Sequence, residues 1–523
     1  MKPRMTGPDP LPIKRKHVLV WGLGRLGGGA AVTRWLVDQG ARVTVMDRAT
    51  ADSLRSSLAA IADLPVALRL GTEDPELLAE SDLVVVNPAV VKARSEFFNA
   101  ITRRDVPWTT EINLFLERCP ASVIGVTGSF GKSTTSAMIA AVLEEHVARG
   151  GGRGLVYLGG NIGKSLLPEL ARMTPEDHVV LELSSAQLED VPRVPFSPRV
   201  AVLTNLHPHH LDRHGSFDAY ISAKLNILGH PNPAAVLVIG DPALGGEAVN
   251  PRKTLGPGEQ TTRDSLVAAG APAESVAAAR LVREHVLRLG VPVHSARAPH
   301  VPFELVVPGT HNRENAATAW TAARLLGVEE KTAANALRHF PGLPHRLEVV
   351  AVIDGVRFLN DSKATSPRAV VTALDALDAP VLAIVGGAAM DEPLDECVRT
   401  LAERCRTVAC LGETGARMAD RLLDPVRPEP RPEVLRADDL ETAVRWSRTR
   451  ARPGDVVLFC PGATSFDRYV NFEARGAHFA DCVRADAPNH QGKQAATTNP
   501  PCGRPDASCN AQPSIRNAGI KSA

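Results

Sequence analysis

The run Val123-Ile-Gly-Val-Thr-Gly-Ser-Phe-Gly-Lys-Ser-Thr-Thr135 constrains this chain more than any other stretch. A β-branched run predicts a buried strand, and it feeds a glycine-bracketed turn, Gly128 to Gly131, at the start of a helix. Backbone amides in such a turn converge on phosphate oxygens. Lys132 would bring charge to the outer phosphates and Ser133 a hydroxyl to Mg²⁺, with Thr127, Ser129 and Thr134 lining the same turn. A strand that turns into a helix through glycine occurs in any α/β protein. Here the apolar strand, the glycines and Gly-Lys-Ser fall in register, which favours a nucleotide-phosphate cradle.

A single core does not organise 523 residues, so roughly two to four domains are expected. The formal net charge of +1 provides no field for nucleic acid or anionic lipid. The eight cysteines contain no CxxC pair, which argues against a zinc ribbon or a disulfide framework and for reduced thiols. No apolar run is long enough to span a bilayer, and the basic start, Met1 to Lys16, lacks a signal peptide's apolar core. The expectation is a cytoplasmic protein.

Ahead of the phosphate turn, a strand His17–Trp21 enters Gly22-Leu-Gly-Arg-Leu-Gly27, followed by a helix from about Ala30 to Gln39, a strand Arg42–Met46 and the acid Asp47. This is a dinucleotide-binding pattern, and it keeps an NAD-dependent dehydrogenase open as an alternative. Strands over Val66–Leu70 and Asp82–Val86 lead to the loop Asn87-Pro-Ala-Val90, at a strand's carboxyl end where ligands bind. The pattern restarts near Cys119 and Pro120.

Beyond the phosphate turn, Gly159-Gly-Asn-Ile-Gly163 suggests close backbone approach to a ligand. The strand His178–Glu182 carries an acid inside an apolar run, and a buried carboxylate needs a cation, either a basic side chain or Mg²⁺. Strand Val200–Leu203 opens into Thr204-Asn-Leu-His-Pro-His-His-Leu-Asp-Arg-His214, whose histidines fit one His and one Asp at a nucleotide–metal centre better than a zinc site. A helix over Ser216–Leu228 carries Lys224, which propensity alone reads as a solvated lysine. Strands Ala235–Ile239 and Glu304–Val306 bracket a helix Ser275–Leu289, and Gly309-Thr-His-Asn-Arg-Glu-Asn315 precedes an Ala-rich helix, as caps or as contacts to a nucleotide base.

A third unit opens near Phe340-Pro-Gly-Leu-Pro-His-Arg346, with strands Val356–Asn360, Val381–Val385, Thr407–Leu411 and Asp455–Phe459 in another parallel sheet. The predicted division is 1–118, a Rossmann-like first domain; 119–340, a central P-loop ATPase-like domain; 341–484, a Rossmann-like third domain; and 485–523, a disordered polar tail.

Glu182-Leu-Ser-Ser-Ala-Gln-Leu-Glu189, Leu343-Pro-His-Arg346, Asn360-Asp-Ser-Lys-Ala-Thr365 and Ser465-Phe-Asp-Arg-Tyr-Val-Asn-Phe-Glu-Ala-Arg-Gly476 together resemble the Mur ligase family of peptidoglycan synthesis. The resemblance runs from about Val18 to Ala480. It implies ATP-dependent ligation of D-glutamate to UDP-N-acetylmuramoyl-L-alanine through an acyl phosphate, with the three domains holding UDP, ATP and the amino acid. It also implies small-molecule partners only, a monomer and two Mg²⁺ ions.

By the same resemblance, Thr127, Gly128, Ser129, Gly131, Lys132, Ser133 and Thr134 hold the phosphates, Lys132 reaching the γ-phosphate, while Asn315, Arg346 and Asp361 hold the rest of ATP. Ser133 and Glu182 bind one Mg²⁺; His210 and a carbamylated Lys224 serve the second. Arg48 meets the uridine diphosphate and Asn161 the muramoyl group, and Lys363, Thr365, Ser465 and Phe472 lie where glutamate meets the acyl centre. Phe130 stands where relatives carry a polar residue, Asn87-Pro-Ala-Val90 replaces Ser-Pro-Gly, and Met390 falls near a lysine that pairs with a glutamate carboxylate. These departures keep two alternatives in view: a sister ligase for another amino acid, L-glutamate included, and a non-catalytic nucleotide-binding paralogue.

Overall fold

The computed structural model describes residues 11–24, 27–162, 165–241, 244, 273–296, 303–307, 309–389, 392–424 and 431–485. Expectations for Gly163, Met390, Asp391 and the tail from 486 onward lie outside these residues.

Three sheets organise the chain. The first comprises β1 (His17–Trp21), β2 (Arg42–Asp47), β3 (Ala67–Leu70), β4 (Leu83–Val86) and β5 (Trp108–Thr109), in the order β3-β2-β1-β4-β5 and parallel throughout. The second comprises β6 (Ser122–Thr127), β7 (Val156–Gly160), β8 (His178–Glu182), β9 (Val200–Leu203), β10 (Val236–Ile239) and β11 (Val293–Ser295), in the order β11-β10-β9-β6-β8-β7, also parallel. The third comprises β12 (Glu348–Ile353), β13 (Val356–Asn360), β14 (Val381–Gly386), β15 (Cys405–Leu411), β16 (Glu433–Ala437) and β17 (Val456–Phe459), in the order β12-β13-β17-β14-β15-β16.

Parallel sheets covered by helices bury both faces, and the strands read as unbroken apolar runs for that reason. Val18 and Val20 of β1 face one core while Leu19 and Trp21 face another. In the third sheet Leu382 and Ile384 likewise oppose Ala383 and Val385. One continuous core joins the first two sheets, running from Val18 and Val45 through Phe115 to Leu181 and Leu203. The third sheet has apolar clusters of its own.

The structure corrects the sequence reading in several places. Glu304–Val306 is irregular, and the strand that pairs with β10 at that edge of the second sheet is β11, Val293–Ser295, whose short polar sequence carries little strand signal. The third sheet is not wholly parallel, because β12 pairs antiparallel with β13. Strands β5, β7, β12 and β16 were not anticipated; all are edge strands, where one-sided pairing relaxes the apolar pattern. The stretch from Thr310 onward is already helical, and its cap position is Gly309 with no side-chain cap, so neither Asn312 nor Asn315 serves as the cap.

Candidate active site

Strand β6 delivers the chain into the phosphate turn, and the helix Lys132–Ala148 leaves it. Gly128 and Gly131 have φ of 145° and 76°, and a Cβ on either would lie 1.9 Å from Thr204 Oγ1 or 2.3 Å from Asn315 Oδ1. Only glycine fits there. The loop after β9 braces the turn from outside. Asn205 Oδ1 accepts from the Phe130 amide at 2.9 Å, its carbonyl accepts from the Ser129 amide at 2.9 Å, and the Thr204 hydroxyl donates to the Phe130 carbonyl at 2.6 Å. Ser129 Oγ accepts from the His207 amide and lies 2.9 Å from the Tyr220 hydroxyl, and Thr127 Oγ1 donates to the Leu183 carbonyl. The Phe130 ring itself is 52% exposed, beside His207 and His209.

Lys132 donates to the Ser129 carbonyl at 3.0 Å, and Ser133 and Thr134 are buried in the first helical turn. Burial lowers the Lys132 pKa, Glu182 opposes that shift, and the like charges of Arg346 and Lys363 add to it. Glu182, at the end of β8, is 2% exposed. Its Oε1 accepts from Asn161 Nδ2 at 2.7 Å, whereas its buried Oε2 has no hydrogen-bond partner.

Lys224 departs most from its sequence reading. It is 2% exposed, donates to the Gly128 carbonyl at 2.7 Å, and lies over the Tyr220 ring. Burial lowers its pKa well below that of free lysine, and Lys132 pushes the same way. The signal was present in the spacing: Tyr220, Ile221, Lys224 and Leu225 share one face of the helix Phe217–Leu225. His210 is the left-handed residue that opens the one-turn helix Leu211–His214. Burial lowers its pKa, and that of His209 falls to about 4 for the same reason, with His210 beside it.

The third sheet brings its residues to the same place. Arg346 and Lys363 act on Lys132, and Arg346 also acts on His311 of the second unit. Asp361, buried after β13, accepts from the Leu347 amide and from Cys460 Sγ, and burial raises its pKa. Lys363 Nζ lies 5.8 Å from the Phe472 ring centroid, and its pKa is lowered by burial and then by Arg346. Asn315 accepts from Thr135 Oγ1 at 3.2 Å, directly behind the phosphate turn. Ser465 is buried, and its backbone carbonyl accepts from the Arg468 and Tyr469 amides; Thr365 is half-buried. Arg468 donates to the Asp438 carbonyl.

At the first sheet Asp47 does not present a free carboxylate. Its oxygens accept from the Gly24 and Ala49 amides, so it shapes the glycine turn and is committed there, which weakens the dinucleotide reading. Asn87 closes the same turn by donating to the Gly22 carbonyl at 3.0 Å. Arg48 pairs with Glu73 at 2.6 Å and is largely exposed, apart from the central cluster. Sequence reasoning missed the braces Thr204, Asn205 and Tyr220, which carry no motif of their own.

Three family models match in order: a Mur ligase MurD-like N-terminal domain over residues 16–107, a Mur ligase middle domain over 126–323, and a Mur ligase glutamate ligase domain over 345–462. A relative from Symbiobacterium thermophilum, UDP-N-acetylmuramoylalanine–D-glutamate ligase, is 38% identical over 458 residues, 87% of this chain and 95% of its own. The chain belongs to the Mur ligase family. A relative of the same name from Roseiflexus is 36% identical, covering 90% of this chain and 98% of its own. In fold the chain is similar to UDP-N-acetylmuramate-alanine ligase from Thermotoga maritima, with a TM-score of 0.53 at 18% identity, covering 90% of this chain and all of that one. Mur ligases are ATP-dependent amide ligases that use Mg²⁺.

Proposed function

We propose that this Mur ligase joins D-glutamate to UDP-N-acetylmuramoyl-L-alanine, consuming ATP and forming ADP and phosphate. The identity of both substrates rests on the relatives' names. The chemistry rests on one observation: the buried Glu182, beside the end of β6, presents an unpartnered Oε2 next to the phosphate turn that Lys132 and the buried Lys224 both hold through backbone carbonyls.

A carboxylate must attack the γ-phosphorus of ATP, which brings two anions together. Concentrated positive charge offsets that repulsion. Lys132 and the amides of the Gly128–Gly131 turn would bind the phosphates, with Asn315, Arg346 and Asp361 around the rest of the nucleotide. Mg²⁺ suits the unpartnered Oε2 of Glu182 and the Ser133 hydroxyl, both hard oxygen donors, and would there neutralise phosphate charge. His210 would serve a second Mg²⁺ as neutral imidazole.

Lys224 meets the requirement for carbamylation, a buried amine whose pKa is depressed. The lone pair of its neutral amine would form a bond to the carbon of CO₂ as one C=O π pair moves onto oxygen, one amine proton would leave to water, and the product is a carbamate, an anionic oxygen donor where a neutral amine stood. Lys363, with Thr365, Ser465 and Phe472, would receive glutamate, whose amine attacks the acyl phosphate and expels phosphate from the tetrahedral intermediate. Asn161 and Arg48 would face the nucleotide-sugar.

The division at 118/119 and 340/341 assigns these three tasks to three domains. The enzyme is taken to act as a monomer, and the use of ATP together with free thiols at the six described cysteines supports a cytoplasmic enzyme. Phosphate release should require ATP, UDP-N-acetylmuramoyl-L-alanine and D-glutamate together. An amino-acid panel that preferred another substrate, L-glutamate for example, would replace D-glutamate in this reading, and no stimulation by any amino acid would end it.

A further inference from the structure

The helix Leu211–His214 is a single turn, too short to hold itself. His210, which opens it, adopts φ 52° and ψ 37° without being glycine, and its side chain gives no cap. A left-handed non-glycine residue costs roughly 1–2 kcal/mol and persists only where its surroundings impose it. The imposing contacts are ionic and come from both neighbouring units.

Arg213, three residues on, is the centre of them. Its side chain is 12% exposed and grips Glu189 with two bonds, Nε to Oε1 at 3.0 Å and Nη2 to Oε2 at 2.8 Å. The same Nη2 donates to the Val90 carbonyl of the first unit at 3.2 Å. Lys92, two residues beyond Val90, reaches Asp190 at 2.9 Å and Glu189 at 3.5 Å. His214 closes the helix with one ring nitrogen 3.0 Å from Ser185 Oγ and the other 3.3 Å from Glu189. Arg94 donates to the Asp212 carbonyl from the first unit.

Val90 ends the Asn87–Val90 loop, and Asn87 closes the Gly22–Gly24 turn. A contiguous path therefore runs from the glycine turn of the first sheet through Asn87 and Val90 to Arg213, and by one helical turn to His210. The continuous apolar core beneath both sheets gives this path a rigid floor.

We propose that Arg213 is a positioning residue that couples the loop Asn87–Val90, at the carboxyl end of β4 beside the glycine turn of the UDP-binding first unit, to the placement of His210 beside the phosphate turn, so that binding of the UDP-linked substrate at that loop completes the ATP site. The proposal rests on the functional reading above for the identity of the two ligands. It requires a physical connection that both sites bias, and the forked Arg213 guanidinium supplies it, bonded at once to Glu189 of one unit and Val90 of the other. Lysine lacks that fork.

Binding of a non-hydrolysable ATP analogue with Mg²⁺ is measured in the presence and absence of UDP-N-acetylmuramoyl-L-alanine, in wild type, Arg213→Met and Arg213→Lys. In the wild type the UDP-linked substrate should tighten the analogue about 5-fold or more. In Arg213→Met that coupling should fall below about 2-fold while each ligand alone binds within about 3-fold of wild type, and Arg213→Lys should fall between. In turnover, Arg213→Met should lower kcat about 10-fold or more and leave the KM for D-glutamate unchanged. Unaltered coupling in Arg213→Met overturns the proposal, as does absence of coupling in the wild type or equal loss of both separate affinities. If Arg213→Met does not fold, Arg213→Lys carries the same test. The binding measurement needs no catalysis, so a wild type that couples the two ligands yet forms no amide would defeat the functional reading and leave the coupling standing.

Discussion

Asn161 Nδ2 lies 2.7 Å from Glu182 Oε1 and leaves Oε2 of that buried carboxylate without a hydrogen-bond partner. The amide holds one oxygen so that the other is presented, which is the relation expected between a residue behind a metal ligand and the ligand itself. Asn161→Ala should therefore raise the Mg²⁺ concentration for half-maximal turnover by about 10- to 100-fold. A residue that only touched the muramoyl group would raise the KM of the UDP-linked substrate instead. Titration of both ligands against the variant separates the two roles.

Lys224→Met keeps the length of the buried side chain and removes the amine. Turnover should fall by more than about 100-fold, as on loss of a strong electrostatic stabiliser. The Gly128 carbonyl loses its partner, but a polar amine that is costly to bury is also removed, so the thermal midpoint should shift by only a few degrees. Wild-type turnover should decline in CO₂-depleted buffer and recover on adding bicarbonate. Full wild-type activity after exhaustive CO₂ removal would remove the carbamate from the mechanism.

The order of the three sheets and the phosphate turn could be read in the chain because strongly apolar strands and glycine turns are local signals. Edge strands such as β12 and β16 were illegible, since half their pairing is missing and their residues are mixed. Glu182 could be singled out because an acid inside an apolar run demands an explanation. Lys224 is harder to single out: a lysine on a helix is ordinarily solvated, and its place on the apolar face with Tyr220, Ile221 and Leu225 is a weak hint of the burial that its contacts with Gly128 and Tyr220 show. Arg213 sat in a stretch noticed for its histidines, and its ion pair with Glu189 spans a gap in sequence that no local pattern records.

His209 gives a pH signature. Its pKa falls to about 4 in the folded protein, through burial and then the neighbouring His210, against about 6.5 for an unperturbed histidine. The folded state then binds fewer protons than the unfolded chain between these values, so stability falls as pH drops from about 6.5 towards 4. His209→Asn removes that titration. The thermal midpoint of the variant minus that of wild type should be flat above pH 7 and rise as pH falls through the window. A difference independent of pH would show that His209 takes up its proton normally in the fold.

Arg475 is a buried cation that binds no ligand in the proposed mechanism. Its guanidinium donates to Ser362 Oγ at 3.1 Å, to the Ser362 carbonyl at 2.8 Å and to the Ala463 carbonyl at 2.9 Å. It thereby clamps the turn that carries Asp361 and Lys363 to the loop after β17. Burial lowers its pKa to about 10, offset in part by Asp467. Arg475→Met would strand the two buried carbonyls, while the Ser362 hydroxyl keeps the Phe472 carbonyl, destabilising the third unit by roughly 2–4 kcal/mol. Cys397, Cys405, Cys410, Cys460 and Cys482 are all buried in that unit, so thiol labelling of these residues reports its opening. Their labelling should quicken by about 10- to 1,000-fold in the variant, since each 1.4 kcal/mol is tenfold. Cys119, half-buried against the first two units' shared core and with its pKa raised to about 11 by burial, should label at the wild-type rate. Equal acceleration at Cys119 would mean that Arg475 supports the whole chain and does not act as a clamp local to the Asp361–Lys363 turn.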